Sequence, residues 1–257
     1  MKKVFSILMA VLILVTSTWA AADGRWYCPN CGRLNDDNFC PKDGTPRPSD
    51  MAGQSTTIAV GDTIVFGRYE QDNHSGNGQE PIEWIVLDIV DGRALVISKL
   101  ALEARNYHDS RKPVTWEQCT LRKWLNEEFV RHAFSTTEQA AILVTQVGNG
   151  PDQCCSKWKT NGGSDTMDRV FLLSYAEALK YFSTDEARGC WGTDYMLALG
   201  AWQSSGTGNV CWRLRSPGNQ QIYSAVVDGD GSILNGHNVA NDSDGIRPAM
   251  WIDLSCL

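Results

Sequence analysis

The sequence predicts an α+β fold: one mixed domain over residues 57–257 whose terminal strands meet in a sheet. Three observations predict it. A strong β-hairpin pattern opens the region, capped amphipathic segments fill its middle, and short apolar runs separated by Gly, Pro and Asp turns close it.

The opening hairpin is IEWIVLDIVDGRALVISKLAL, two β-rich apolar runs around Asp91-Gly92. Asp-Gly supplies the left-handed backbone of a tight two-residue turn. Both arms are nearly continuously apolar, so burial on both faces is expected. DTIVFGRYEQ predicts a strand before it, with the polar loop QDNHSGNGQEP between them. Helices follow. Thr115 with Gln118, Ser135 with Glu138 and Ser174 with Glu177 have the Ser/Thr-x-x-Glu/Gln spacing of a capping box. Leu121, Trp124, Leu125 and Phe129 repeat at helical spacing, and a further helix is predicted from Thr193 to Trp202. RVFLLS, CWRLRS, IYSAVV and AMWIDL predict strands, with turns at Ser216-Pro217-Gly218 and Asp228-Gly229-Asp230-Gly231. The stretch LNGHNVANDSDG is read as a polar loop.

Ahead of this domain stand three shorter segments. Lys2 and Lys3, the apolar run VFSILMAVLILV and the small residues around Ala20 to Ala22 have the order of a secretion signal, assigned to residues 1–22. The protein is therefore expected outside the cell or on its surface, touching a membrane only if the leader stays uncleaved. Residues 26–48 carry C-P-N-C-G and C-P-K-D-G. Cys28, Cys31, Cys40 and Asp43 thus occupy the four ligand positions of a small zinc knuckle, with a carboxylate where a fourth thiolate is usual. So short a segment buries no core of its own, and bound metal would supply its folding energy. A structural zinc is the first reading; a metal-free remnant and a disulfide between knuckle cysteines are the alternatives. A Pro-, Gly- and Ser-rich linker occupies 49–56.

The net charge is −7 with no basic run, which excludes the usual electrostatic footprint of a nucleic-acid partner. No nucleophile elbow, phosphate-cradling loop or carboxylate pair at a telling spacing is present. Of the four histidines, His74, His108, His132 and His237, His74 and His132 carry no recognisable motif; His237 lies in a polar loop that could approach a site, with a solvated loop histidine as the first reading. Asp228 and Asp230 begin like a calcium loop but lack its closing Glu, so a turn explains them. Cys119, Cys154, Cys155, Cys190, Cys211 and Cys256 form an even set whose pairing spacing cannot decide.

EPIEWIVLD (Glu80 to Asp88), TLRKWLNEEF (Thr120 to Phe129), FLLSYAEA (Phe171 to Ala178), WRLRSPG (Trp212 to Gly218) and GIRPAMWIDL (Gly245 to Leu254) occur in this order. They resemble a domain of unknown function found in secreted and surface proteins of Gram-positive anaerobes. There, consecutive tryptophans usually precede L-R-S-P-G; here Cys211 and Arg213 flank a single Trp212. The closing motifs are more weakly similar to C-type-lectin-like and formylglycine-generating-enzyme folds, which implies ligand-binding loops at that end and no chemistry.

The expectation for function is an exported, non-enzymatic binding domain for a glycan or protein, with a divergent extracellular hydrolase or a structural envelope component as alternatives. Candidate contact residues are Trp212, Arg213, Arg215, Asn219, Asp228, Asp230, Asn235, His237, Asn238 and Arg247. Indole faces stack on sugar rings, and Arg and Asn fix orientation by hydrogen bonds. The competing reading places Trp212 in the core, with Arg215 and Arg247 tying loops together internally.

Overall fold

The computed structural model describes residues 25–28, 33–36, 40, 42 and 58–256. The chain divides into two compact units, Met1–Ile58 and Ala59–Leu257. The leader 1–22, the linker 49–56 and the predicted ligands Cys31 and Asp43 lie outside the described residues. Among the described residues, no helix is long and apolar enough to cross a membrane.

In the first unit β1 (Trp26–Tyr27) pairs antiparallel with β2 (Leu34–Asn35), Trp26 opposite Asn35. The Cys28 N–H donates to the Arg33 carbonyl at 2.8 Å. Trp26, Cys28 and Cys40 are buried together.

The second unit contains two five-stranded sheets and a separate strand pair. The first sheet runs β3 (Thr63–Tyr69), β4 (Glu80–Val90), β5 (Arg93–Ser98), β14 (Ala249–Asp253) and β9 (Val170–Phe171), all antiparallel. The terminal strands therefore do meet: Ala249 pairs with Ile97 and Asp253 with Arg93. Asp91 (φ +50°) and Gly92 (φ +74°) form the expected left-handed turn between β4 and β5. Burial of the hairpin is asymmetric, contrary to the expectation from its apolar arms. β5, between β4 and β14, is buried from Ala94 to Ser98, whereas β4 exposes Glu83, which pairs with Lys99 at 2.8 Å. A register shift between Val86 and Asp88 lets both Val86 and Leu87 face inward.

The second sheet runs β12 (Ile233–Asn238), β11 (Tyr223–Val227), β10 (Trp212–Pro217), β13 (Gly245–Ile246) and β6 (Glu103–Ala104). It corrects the sequence reading in two places. Ser216 and Pro217 stay in β10, with Pro217 opposite Ser224, and the chain turns only after Gly218. The polar loop expected around His237 is instead strand β12, His237 opposite Ser224. Its polar composition suits an outermost strand, and Gly236 at φ +115° takes up the register shift between Ser224 and Val226.

The middle of the chain is helical, with β7 (Thr145–Val147) and β8 (Thr166–Asp168) forming the separate pair. Capping boxes form at Ser135/Glu138 and Ser174/Glu177, starting α3 (Thr136–Ala141) and α4 (Tyr175–Tyr181). Thr115 does not cap as its spacing suggested: it precedes a single 3₁₀ turn and its side chain makes no capping bond. The helix begins later, where the Cys119 sulfur accepts from the Arg122 N–H at 3.4 Å. α1 (Thr120–Trp124) passes into a π-helical turn, Leu125–Phe129, and then α2 (Val130–Ala133). α5 (Asp185–Arg188) is one short turn, and α6 (Asp194–Ala198) is shorter than predicted, ended by left-handed Gly200. An aromatic cluster of Phe66, Trp84, Phe129 and Phe134 fills the space between the first sheet and the π-helical region.

Candidate functional site

β10 reads W-R-L-R-S-P, and every one of these residues is buried. A central strand covered on both faces has no solvent side, so its arginines must find partners inside. Arg215 grips both carboxylate oxygens of Glu177 and donates to the carbonyls of Gly148 (2.9 Å) and Leu172 (2.8 Å). Arg213 pairs with Asp244 at 2.8 Å and donates to Ser224 Oγ (2.5 Å) and to the carbonyls of Asn238 (3.0 Å) and Asn241 (2.6 Å). Arg247, just beyond β13, donates from Nε to the Ser98 carbonyl at 2.8 Å. Its guanidinium carbon lies 5.2 Å from the Phe182 ring centre and 5.1 Å from that of Trp212. Burial pushes the pKa of Arg213 and Arg247 down, and Asp244 partly opposes this at Arg213. Trp212 is itself fully enclosed and donates from Nε1 to the Arg188 carbonyl. These four residues hold the interior together.

Asp244 also faces His237, whose Nδ1 lies 2.8 Å from the second carboxylate oxygen. The result is a line from buried Arg213 through buried Asp244 to half-exposed His237. The hydrogen bond to Asp244 raises the His237 pKa above its ordinary value, against the opposing effect of burial. A carboxylate on one ring nitrogen leaves the other available, the arrangement of an oriented imidazole. Asp228 accepts from the Cys211 thiol at 2.9 Å, and this, after burial, raises the thiol's pKa. Asp230 accepts from the Ser232 N–H at 2.8 Å and shapes the turn between β11 and β12. Asn219 and Asn235 meet through the backbone, N–H to carbonyl at 2.8 Å, and Asn238 Oδ1 accepts from the Ala240 N–H. Cys119, Cys154, Cys155, Cys190, Cys211 and Cys256 are free thiols, so no disulfide braces the second unit.

The exposed aromatic surface lies beside these residues, and the sequence reading passed over it. Trp191 is 61% exposed and Trp202 52% exposed. They flank the loop 203–209, which the Gln203–Val210 bridge closes. A side chain on Gly208 would come 3.8 Å from the Trp191 ring, and one on Gly229 would come 3.2 Å from the Trp202 ring, so each indole rests against a glycine. The loop is held by Thr207 Oγ1 and Asn209 Nδ2, which both donate to the Gly229 carbonyl at 2.7 and 3.0 Å. Trp191 points outward because its neighbours point inward: Cys190 is buried, and Gly192 packs against Met196 and Val210. The signal was legible in principle, as C-W-G at a strand-like alternation and a Trp directly before QSSGTGN.

A family model described as Domain of unknown function (DUF6273) matches residues 91–254. No curated protein and no solved structure matches the chain.

Proposed function

The chain belongs to the DUF6273 family, a domain of unknown function, and from that premise we propose that it is an exported binding domain that engages a glycan or protein outside the cell or at its surface. The observation that carries this reading is the pair of exposed indoles at loop 203–209. A Trp face is the side chain best suited to stack on a sugar ring or anchor a partner surface, and here two sit on either side of one loop. Exposed Gln203 adds a polar group at the same place. The arginines first expected to make contact are instead spent on internal pairs, which concentrates recognition on this rim.

The rest of the organisation belongs to the same proposal. Residues 1–22 direct export, and Cys28, Cys31, Cys40 and Asp43 hold a structural zinc. Burial of Cys28 and Cys40 beside Trp26, with the Cys28 N–H bonded to the Arg33 carbonyl, fits a small zinc ribbon. The faint C-type-lectin-like character of the closing motifs agrees with ligand contact by loops at that end.

The test is a glycan array and a surface-protein pull-down with the mature chain. Trp191→Ala and Trp202→Ala should each weaken capture about tenfold or more while leaving the melting temperature in place. Capture that survives both substitutions sinks the reading. One observation favours a second reading: His237 oriented by Asp244 is equipped as a general base. Turnover on a hydrolase substrate panel, lost in His237→Gln, would decide for it.

A further inference from the structure

Five arginines of the second unit are paired with carboxylates: Arg93 with Asp91, Arg122 with Asp168, Arg188 with Asp185, Arg213 with Asp244 and Arg215 with Glu177. Arg105 differs. Its guanidinium carbon lies 4.4 Å from the ring centre of Trp124. Its Nε is buried and has no hydrogen-bond partner. The nearby buried carboxylate of Glu103 feels the Arg105 charge but takes its hydrogen bond from the Tyr69 hydroxyl at 2.5 Å. A guanidinium that makes no hydrogen bond from Nε and rests over an indole is restrained there with donors to spare. Arg247 also lacks a carboxylate, but it is enclosed. Arg105 opens onto a cavity of about 260 Å³.

The lining of that cavity also includes Glu127 and Glu128, both exposed and without an ion pair among the described residues. They sit on the π-helical turn, whose wider winding displaces side chains from the ordinary helical positions and recurs at functional sites. Asp109, also in the lining, is occupied: its Oδ1 accepts from Asn106 Nδ2 (3.3 Å) and Thr120 Oγ1 (3.0 Å). The cavity therefore offers an unpaired guanidinium and unpaired carboxylates in one small volume. Its size falls just below that of ordinary small-molecule sites, roughly 300 to 1,000 Å³, and fits only a ligand of few heavy atoms.

We propose that this cavity binds a small zwitterion of the α-amino-acid class, its carboxylate on the Arg105 fork and its ammonium on Glu127 or Glu128. A carboxylate matches the guanidinium in a two-point hydrogen bond, and the Trp124 face keeps that fork from turning away. A simple anion would face the carboxylates, and a simple cation would face Arg105 and Lys123. A ligand carrying both charges is complementary to both. Trp191 and Trp202 take no part in this lining, so the site stands apart from the rim proposed for macromolecular contact.

The test uses the mature full chain, the common L-amino acids at about 10 mM, and propionate and ethylamine as single-charge controls, read by thermal shift and calorimetry. One or a few amino acids should raise the melting temperature and neither control should. Arg105→Lys keeps a charge over Trp124 but loses the fork, and should weaken binding about tenfold or more. Glu127→Gln with Glu128→Gln, on an exposed helical surface, should do the same and serves if Arg105→Lys does not fold. Trp202→Ala should leave amino-acid binding unchanged. No response to any amino acid, equal binding of propionate, or binding indifferent to both charge variants overturns the proposal.

Discussion

Asp244→Asn tests how far the interior depends on one carboxylate. Asp244 and Arg213 have side-chain exposures of 2% and 0%, so their charges face each other with almost no water. Asparagine preserves the shape and one acceptor but leaves the Arg213 charge opposed only by dipoles and the more distant Asp242. Removing one partner of a buried pair costs about 3 to 5 kcal/mol. Arg213 keeps Ser224 Oγ and the carbonyls of Asn238 and Asn241, which places the expected cost near the lower end, about 3 kcal/mol. A domain of this size loses roughly 2 to 4 °C of melting temperature per kcal/mol, so the expected fall is about 6 to 12 °C at pH 7. Calorimetry and urea unfolding should agree, with a lower midpoint and an unchanged denaturant slope. Adding Arg213→Met to Asp244→Asn should recover part of the loss, because the unpaired charge is then gone. A fall below about 2 °C for the single variant, or no recovery in the double, would refute the argument.

His237 gives a pH signature. Its folded pKa is raised above the ordinary 6.5, so the protonated imidazole's contribution is fully present below that value and lost as pH rises through the folded pKa. The stability gap between the parent and His237→Gln should therefore be widest near pH 6 and narrow above neutrality; a gap that widens with pH contradicts it. Gly231→Ala should destabilise by more than about 2 kcal/mol in a melting experiment. A Cβ there would come 1.7 Å from the Asp185 carbonyl oxygen at φ +86°. Gly92→Ala, at φ +74° with open space around it, should cost only about 1 to 2 kcal/mol of left-handed strain. Elemental analysis of the mature chain should find about one zinc per molecule and less in Asp43→Ala; equal zinc in both would remove Asp43 from the ligand set.

The parts of the fold legible in the sequence are those whose determinants are local. Asp91-Gly92 encodes its own turn, and Ser135/Glu138 and Ser174/Glu177 encode their own caps. β5 and β14 are apolar enough to be read as buried strands, and they pair. What was hidden depends on partners far along the chain. β12 is polar because it lies at the end of its sheet, and only its pairing with β11 makes it a strand. Thr115 has a capping pattern, yet Gly163 packs against its side chain and the helix waits for Cys119. Residue type also misled at the site. Arg and Trp in W-R-L-R-S suggest contact, but type does not report depth, and β10 is covered on both faces. Trp191 and Trp202 were passed over because exposure arises from the burial of their neighbours, which no single residue announces.

The positions of the buried arginines explain why this domain can separate architecture from recognition. Arg247 bonds the end of β5 through Ser98 and stacks on Trp212 of β10, so one side chain joins the two sheets. Arg215 ties β10 to α4 through Glu177 and to the backbone after β7 through Gly148. Arg213 ties β10 to the end of β12 and to the segment just beyond it. Each latch is internal, and changing one disturbs packing before it disturbs any ligand. The loop 203–209 and the cavity at Arg105 carry no such latch: the first rests its indoles on glycines, and the second leaves a guanidinium and two carboxylates unpaired. On the two proposals, substitutions there should alter binding at little cost to stability, whereas substitutions in W-R-L-R-S should disturb the fold first. On this division, capture weakened in Trp202→Ala with an unchanged melting curve, set beside the lowered melting temperature of Asp244→Asn, is the pattern expected if recognition lies at the rim.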